Sequence, residues 1–139
     1  MPPTIAPYLL YEDCEAALDF LARAFGFQEE LRYTGPEGYV SHAETRIGDG
    51  VVYMGAPGGD YRNPAHVGAR TQMVCVNVED VDAVFERARE AGAEITEEPS
   101  DQEYGERRFM CRDPEGHAWS ISQLITVREP EEWGATASR

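Results

Sequence analysis

Two stretches of the chain repeat apolar residues at helical spacing. In EDCEAALDFLARAFGF the residues Cys14, Ala17, Leu18, Leu21 and Phe25 fall on one side of a 3.6-residue period, the signature of an amphipathic helix with one buried face. In EDVDAVFERAREAGA the matching set is Val81, Val84, Phe85 and Ala88. Asp13 and Asp80 stand where N-caps belong, and Gly26 and Gly92 where helices close. Strand-like runs surround both helices. APYLLY precedes the first and QEELRY, YVSHAETRI and VVYMG follow it; MVCVNV precedes the second and EITEE, ERRFMCR and HAWSIS follow.

The two halves share one order, strand, helix, then three strands, at an offset of 66 or 67 residues. Glu12-Asp13 falls on Glu79-Asp80, Ala16 on Ala83, Gly26 on Gly92 and Gly50 on Gly116. The coincidence of caps, turn glycines and strand order reads as an internal duplication. The expected fold class is α+β, two tandem βαβββ modules. Residues 1–56 form the first module and 70–125 the second. The Gly- and Pro-rich segment 57–69 connects them, and 126–139 is a C-terminal tail.

Composition narrows the possible partners. At 139 residues with 42% hydrophobic content, the chain can bury one real core. Its 26 acidic residues against 12 basic ones, all arginine, give a net charge of -14. Such a surface repels phosphate backbones and anionic bilayers, so neither nucleic acid nor membrane is an expected partner. No apolar run is long enough for a membrane span and no secretion leader is recognisable, so a cytoplasmic location is expected. Cys14, Cys75 and Cys111 are widely spaced, match no metal motif, and read as reduced, buried thiols.

The motifs YEDCEAALDFLARAFGF, HAETRIGDG, EDVDAVFERAREAGA, YGERRF and DPEGHAWSIS together resemble the vicinal oxygen chelate superfamily, that of glyoxalase I, the extradiol dioxygenases and the bleomycin resistance proteins. The resemblance covers residues 4–125, as one domain, and is greatest to glyoxalase-like and bleomycin-resistance-like members. It implies that the paired βαβββ modules form an open, cleft-bearing mixed sheet. Metal-dependent members carry ligands on the first and last strands of each module. The matching positions here are Ala6, Met54, Met73 and Ser120, none of them the imidazole or carboxylate that a Ni, Zn or Fe ion needs. The resemblance therefore implies no metal and no other cofactor.

The turn DPEGH, Asp113 to His117, reads as structural: Gly116 supplies a special backbone angle, and His117, Trp119 and Ile121 alternate onto the helix side while Ala118, Ser120 and Ser122 face the cleft. His66 lies in the connecting segment and reads as solvated. His42 shares a strand face with Glu44, which makes the two a candidate base and orienting carboxylate. Soft and aromatic side chains are the stronger signal, since tyrosine faces stack on flat ligands and methionines adapt to irregular ones. Tyr8, Tyr39, His42, Met54, Met73, Tyr104 and Ser120 are the expected ligand-binding residues, with Tyr33 weighed beside them; Tyr39 and Tyr104 match aromatics that grip the drug in bleomycin resistance proteins. The expected function is metal-free binding of an aromatic or amphipathic small molecule, antibiotics included, with no catalytic residues. The alternative is a glyoxalase-like lyase or isomerase acting through His42 and Glu44. Pro7 matches a proline where the first strand crosses between subunits, and the family commonly pairs its chains, so a homodimer is expected.

Overall fold

The computed structural model describes residues 2–138. The first half runs β1 (Tyr8–Leu10), α1 (Cys14–Phe25), β2 (Gln28–Thr34), β3 (Val40–Ile47) and β4 (Gly50–Gly55). A short helix, α2 (Pro64–Val67), interrupts the connecting segment. Then come β5 (Met73–Asn77), α3 (Val81–Glu90), β6 (Glu94–Asp101), β7 (Glu106–Arg112) and β8 (Ala118–Leu124), and a 3-10 turn at Pro130–Trp133. Each half forms its own four-stranded mixed sheet, ordered β1-β4-β3-β2 and β5-β8-β7-β6. The first strand of each pairs parallel to the last, and the others pair antiparallel.

The caps form as their residue types dictate. Asp13 accepts from the Ala16 amide at 3.0 Å and Asp80 from that of Ala83 at 3.1 Å. Gly26 closes α1 at φ 88°, a left-handed angle that a side chain would resist. The helices bury one face each against their sheets and against one another, and a single core spans both halves. Phe25 and Phe27, at the end of α1, pack on the fully buried Trp119 of β8 at 5.1 and 5.8 Å between centroids.

The two modules differ by one residue at a decisive place. Thr45 pairs with Val52, and Cys111 with Trp119. From Thr45 to Cys111 is 111 − 45 = 66 positions, but from Val52 to Trp119 is 119 − 52 = 67. Between these equivalent pairs the β7–β8 hairpin holds one more residue than the β3–β4 hairpin. Matching Gly50 to Gly116 therefore puts β4 out of phase, and in a strand a one-residue slip exchanges the two faces.

DPEGH is a turn, and it also joins the halves. The buried Asp113 carboxylate accepts from the Tyr11 hydroxyl at 2.7 Å and Trp119 Nε1 at 3.1 Å through one oxygen. Its other oxygen accepts from the amides of Glu115 and His117, both at 3.0 Å. Glu115 in turn accepts from the amides of Glu12 and Asp13 at 2.6 and 2.9 Å, bracing the start of α1. His117 donates through Nε2 to the Leu10 carbonyl at 2.7 Å. Gly116 sits at φ 91°, and a Cβ there would come within 2.5 Å of the Ala65 amide nitrogen in α2. His66 is not simply solvated, because its Nδ1 lies 2.6 Å from Glu12. Cys75 corrects another expectation: it is exposed, on the side of β5 away from the core, while Cys14 and Cys111 are buried.

Asp113→Ala would leave a phenol, an indole and two amides without their acceptor. The expected loss is on the order of 3 kcal/mol or more in urea unfolding; a loss under about 1 kcal/mol would deny the turn this role. Stability should also fall at alkaline pH. Burial first, then Asp113, holds the Tyr11 phenol well above its ordinary value, and burial foremost pushes the Cys14 and Cys111 thiols up to about 12. The folded chain keeps these protons where the unfolded chain has released them. Their stabilisation is complete below about pH 8.5 and drains away as the pH rises towards 12. The urea midpoint should decline over that range, and less steeply in a Cys14→Ala, Cys111→Ala variant.

Candidate functional site

Each sheet has helices on one face only, and the opposite faces are open. On the first sheet, cross-strand pairs put Tyr8 beside Tyr53, Leu10 and His42 beside Gly55, Glu44 beside Tyr53, and Leu31 and Tyr33 beside Glu44 and His42. Tyr8, Leu10, Leu31 and Tyr33 are exposed there. Several large apolar and aromatic groups thus share one uncovered surface.

Within this face three side chains are bonded in series. The Tyr8 hydroxyl lies 2.8 Å from His42 Nδ1, and His42 Nε2 lies 2.9 Å from a Glu44 oxygen. A carboxylate can only accept, so Nε2 donates to Glu44; in the neutral imidazole Nδ1 is then bare and Tyr8 donates to it. The Tyr8 and His42 rings stack with centroids 5.5 Å apart, and Tyr53 meets His42 edge-on at 6.2 Å. Burial, followed by the charges of Cys14 and Glu44, raises the Tyr8 phenol above its ordinary value, so it keeps its proton at neutral pH. Gly55 makes room for this arrangement: a Cβ there would fall 2.6 Å from the Tyr8 oxygen and 2.7 Å from its ring. Its φ is not positive, so space and not backbone freedom is what glycine provides.

The expected ligand residues do not all meet here. Tyr8 and His42 do, joined by Glu44, the carboxylate of the alternative catalytic reading. Met54 is a correction: it is fully buried in the core, paired with Ala43 and Leu9, because matching Gly50 to Gly116 reads its strand one residue out of phase. Tyr53 holds the place opposite in phase, equivalent to Ser120; the pairs Tyr8–Tyr53 and Cys75–Ser120 mark the equivalence. Tyr53 was not foreseen, and only the hairpin lengths could have revealed it. Tyr39 is exposed beyond the start of β3, its hydroxyl close over Gly58. Met73 and Ser120 belong to the open side of the second sheet. Met73 is exposed, whereas Ser120, between Cys75 and Met110, is buried among its neighbours. Tyr104 also belongs to the second half. Its hydroxyl accepts from Arg108 at 3.0 Å and its ring packs on Trp133 of the tail at 5.6 Å. A groove of about 360 Å³ between the arm Pro3–Pro7, the start of β4 and β5 touches none of the expected ligand residues.

The donors do not fit a metal ion. With the phase corrected, the family's ligand positions carry Ala6, Tyr53, Met73 and Ser120. His42 and Glu44 are the nearest suitable donors, and they are bonded to each other. Among the described residues no three His, Cys, Asp or Glu side chains converge. No helix among them is long and apolar enough to cross a membrane.

Comparison with known proteins agrees with this architecture. The family model described as Glyoxalase/Bleomycin resistance protein/Dioxygenase superfamily matches residues 4–121. The uncharacterised protein Rv0887c of Mycobacterium tuberculosis is 34% identical over 141 residues, covering 98% of this chain and 83% of its own. The crystal structure of TioX from Micromonospora sp. ML1 superposes with a TM-score of 0.72 at 34% identity, covering 89% of this chain and all of that one. A Nocardioides protein of the same superfamily superposes at 0.65 with 22% identity, covering 94% of this chain and 89% of that one, a likeness of fold.

The donor chemistry predicts that untagged, purified protein carries no stoichiometric Ni, Zn, Mn or Fe. Elemental analysis finding about one such ion per chain, lost in a His42→Ala variant, would show that this face holds metal after all.

Proposed function

The chain belongs to the Glyoxalase/Bleomycin resistance protein/Dioxygenase superfamily, and from that premise we propose that it is a metal-independent binding protein for a flat aromatic or amphipathic small molecule. One observation carries this reading: Tyr8, Tyr33, Tyr53 and His42 share an uncovered sheet face with Leu10 and Leu31. Tyrosines give large, rigid contact area with a polar tip, which suits ligands combining rings with polar groups. Antibiotics are one such class. Three cysteines without a disulfide suit a reducing cytoplasm.

A second copy would complete the site. Tyr8, Leu10, Leu31 and Tyr33 are too many large apolar groups to leave wet on one surface. Because the modules are duplicates, the open face of one has a similarly shaped counterpart in the open face of the other. A homodimer apposing first-module and second-module faces encloses a cleft with walls from both chains. That arrangement also brings Met73, Ser120 and Arg108 of one chain towards the tyrosines of its partner.

The His42–Glu44 bond favours a second reading, a glyoxalase-like lyase or isomerase in which Glu44 orients His42 as a base. Binding and catalysis separate experimentally. Under the binding reading, planar aromatic probes quench tyrosine emission, and Tyr33→Ala weakens them several-fold, from a loss of about 1 kcal/mol of stacking. Unchanged affinity would move the site off this face. Turnover of an α-keto thiohemiacetal, abolished by His42→Gln, would support the enzyme instead. Light scattering after size exclusion should give the mass of two chains, with an interface above roughly 2,000 Å²; the mass of one chain at micromolar concentration would overturn the dimer.

A further inference from the structure

We propose that Tyr8 sets which hydrogen-bonding class of ligand this face accepts, and that His42 reverses its preference by taking up one proton. The inference rests on the open face of the first sheet being the binding site. With His42 neutral, Glu44 accepts from Nε2, and the bare Nδ1 takes the only proton Tyr8 can give. The hydroxyl then offers a ligand lone pairs alone. It selects groups that donate, such as a phenol, an amide N–H or an ammonium.

Protonation inverts this. Solvent supplies one proton to Nδ1, which becomes a donor to the Tyr8 oxygen. The hydroxyl proton is released from its bond and turns outward, with Tyr8 still neutral. The face now donates, and selects carbonyls and carboxylates. One proton is gained, no heavy atom moves, and the polarity of the contact reverses.

The surroundings isolate this exchange. His42 faces Tyr8 from β1, Tyr53 from β4 and Tyr33 from β2, all phenols, with Glu44 and Arg46 on its own strand. Arg46 is held at 3.1 Å by Glu30. Cys14, the other ionisable group acting on Tyr8, keeps its proton because burial pushes its thiol up to about 12. His42 is thus the imidazole on this face, with one ring nitrogen towards Glu44 and the other towards Tyr8. Gly55 is a positioning residue: only without a Cβ at this position can the Tyr8 ring sit over β4 within reach of Nδ1.

The test uses two probes of like shape, naphthol as a donor and acetonaphthone as an acceptor, titrated against full-length protein across about pH 5 to 8. The ratio of their dissociation constants should move towards naphthol by on the order of fivefold as the pH rises. Tyr8→Phe, His42→Gln and Gly55→Ala should each flatten the ratio, with Tyr8→Phe leaving the fold intact. Nitrogen-15 shifts of His42, assigned with His42→Gln, read the switch with no ligand present and should show the Nε2–H tautomer at pH near 8. The Nδ1–H tautomer, or both probes bound with a ratio that ignores pH, overturns the switch and leaves the binding reading standing. The expected tautomer with neither probe bound overturns that reading, and the switch with it.

Discussion

The Asp113 carboxylate is the constraint on which the two halves depend. It is buried, and four donors from both modules converge on it. A buried carboxylate is costly unless every lone pair is used, and here the chain uses them. The result is a fixed turn whose next acidic residue, Glu115, ties down the amides that open α1. Tyr11, one residue past the end of β1, is anchored by the same carboxylate. The strand that carries Tyr8 is therefore set by a turn more than a hundred residues away. The modules are separate sheets, yet the position of one's site strand is written in the other's hairpin.

Much of this was legible in the sequence, because local chemistry decides it. Both helices lie where their apolar period and Asp caps predict, and the strand order follows the duplication. Fine phase was not legible. Gly50 and Gly116 both end turns, and matching them is natural, yet the second hairpin is one residue longer between equivalent pairs. That residue moves Met54 from the expected cleft to the core and puts Tyr53 in its place. A strand's faces alternate with every residue, so an error of one is complete. Cys75 illustrates a different limit. In MVCVNV every residue but asparagine is apolar, and only pairing shows that Cys75 shares the open side with Ser120.

Burial also separates residues that share a face. Ser120 and Tyr53 hold equivalent places, but a serine between Cys75 and Met110 is too short to emerge, while tyrosine projects. Tyr104 was expected to offer a stacking wall, and its ring is engaged by Trp133. No pattern in the chain signals that the tail returns to that ring.

The duplicated fold thus carries two unlike surfaces. The first is aromatic and ends in a tyrosine hydroxyl governed by an imidazole. The second is built of methionines, Cys75 and serines around Arg108, whose guanidinium holds Tyr104 and Glu97 while its buried Nε stays unbonded. A buried N–H without a partner costs free energy. Metal-dependent relatives would spend these strands on coordinating one ion from several sides. Here hydroxyls, thioether and rings occupy the same positions, and what they can offer a bound molecule is shape, stacking and a few directed hydrogen bonds. If the two surfaces close on each other across a dimer, one wall stacks and the other donates. A ligand with a flat body and a polar edge is then the molecule that satisfies both.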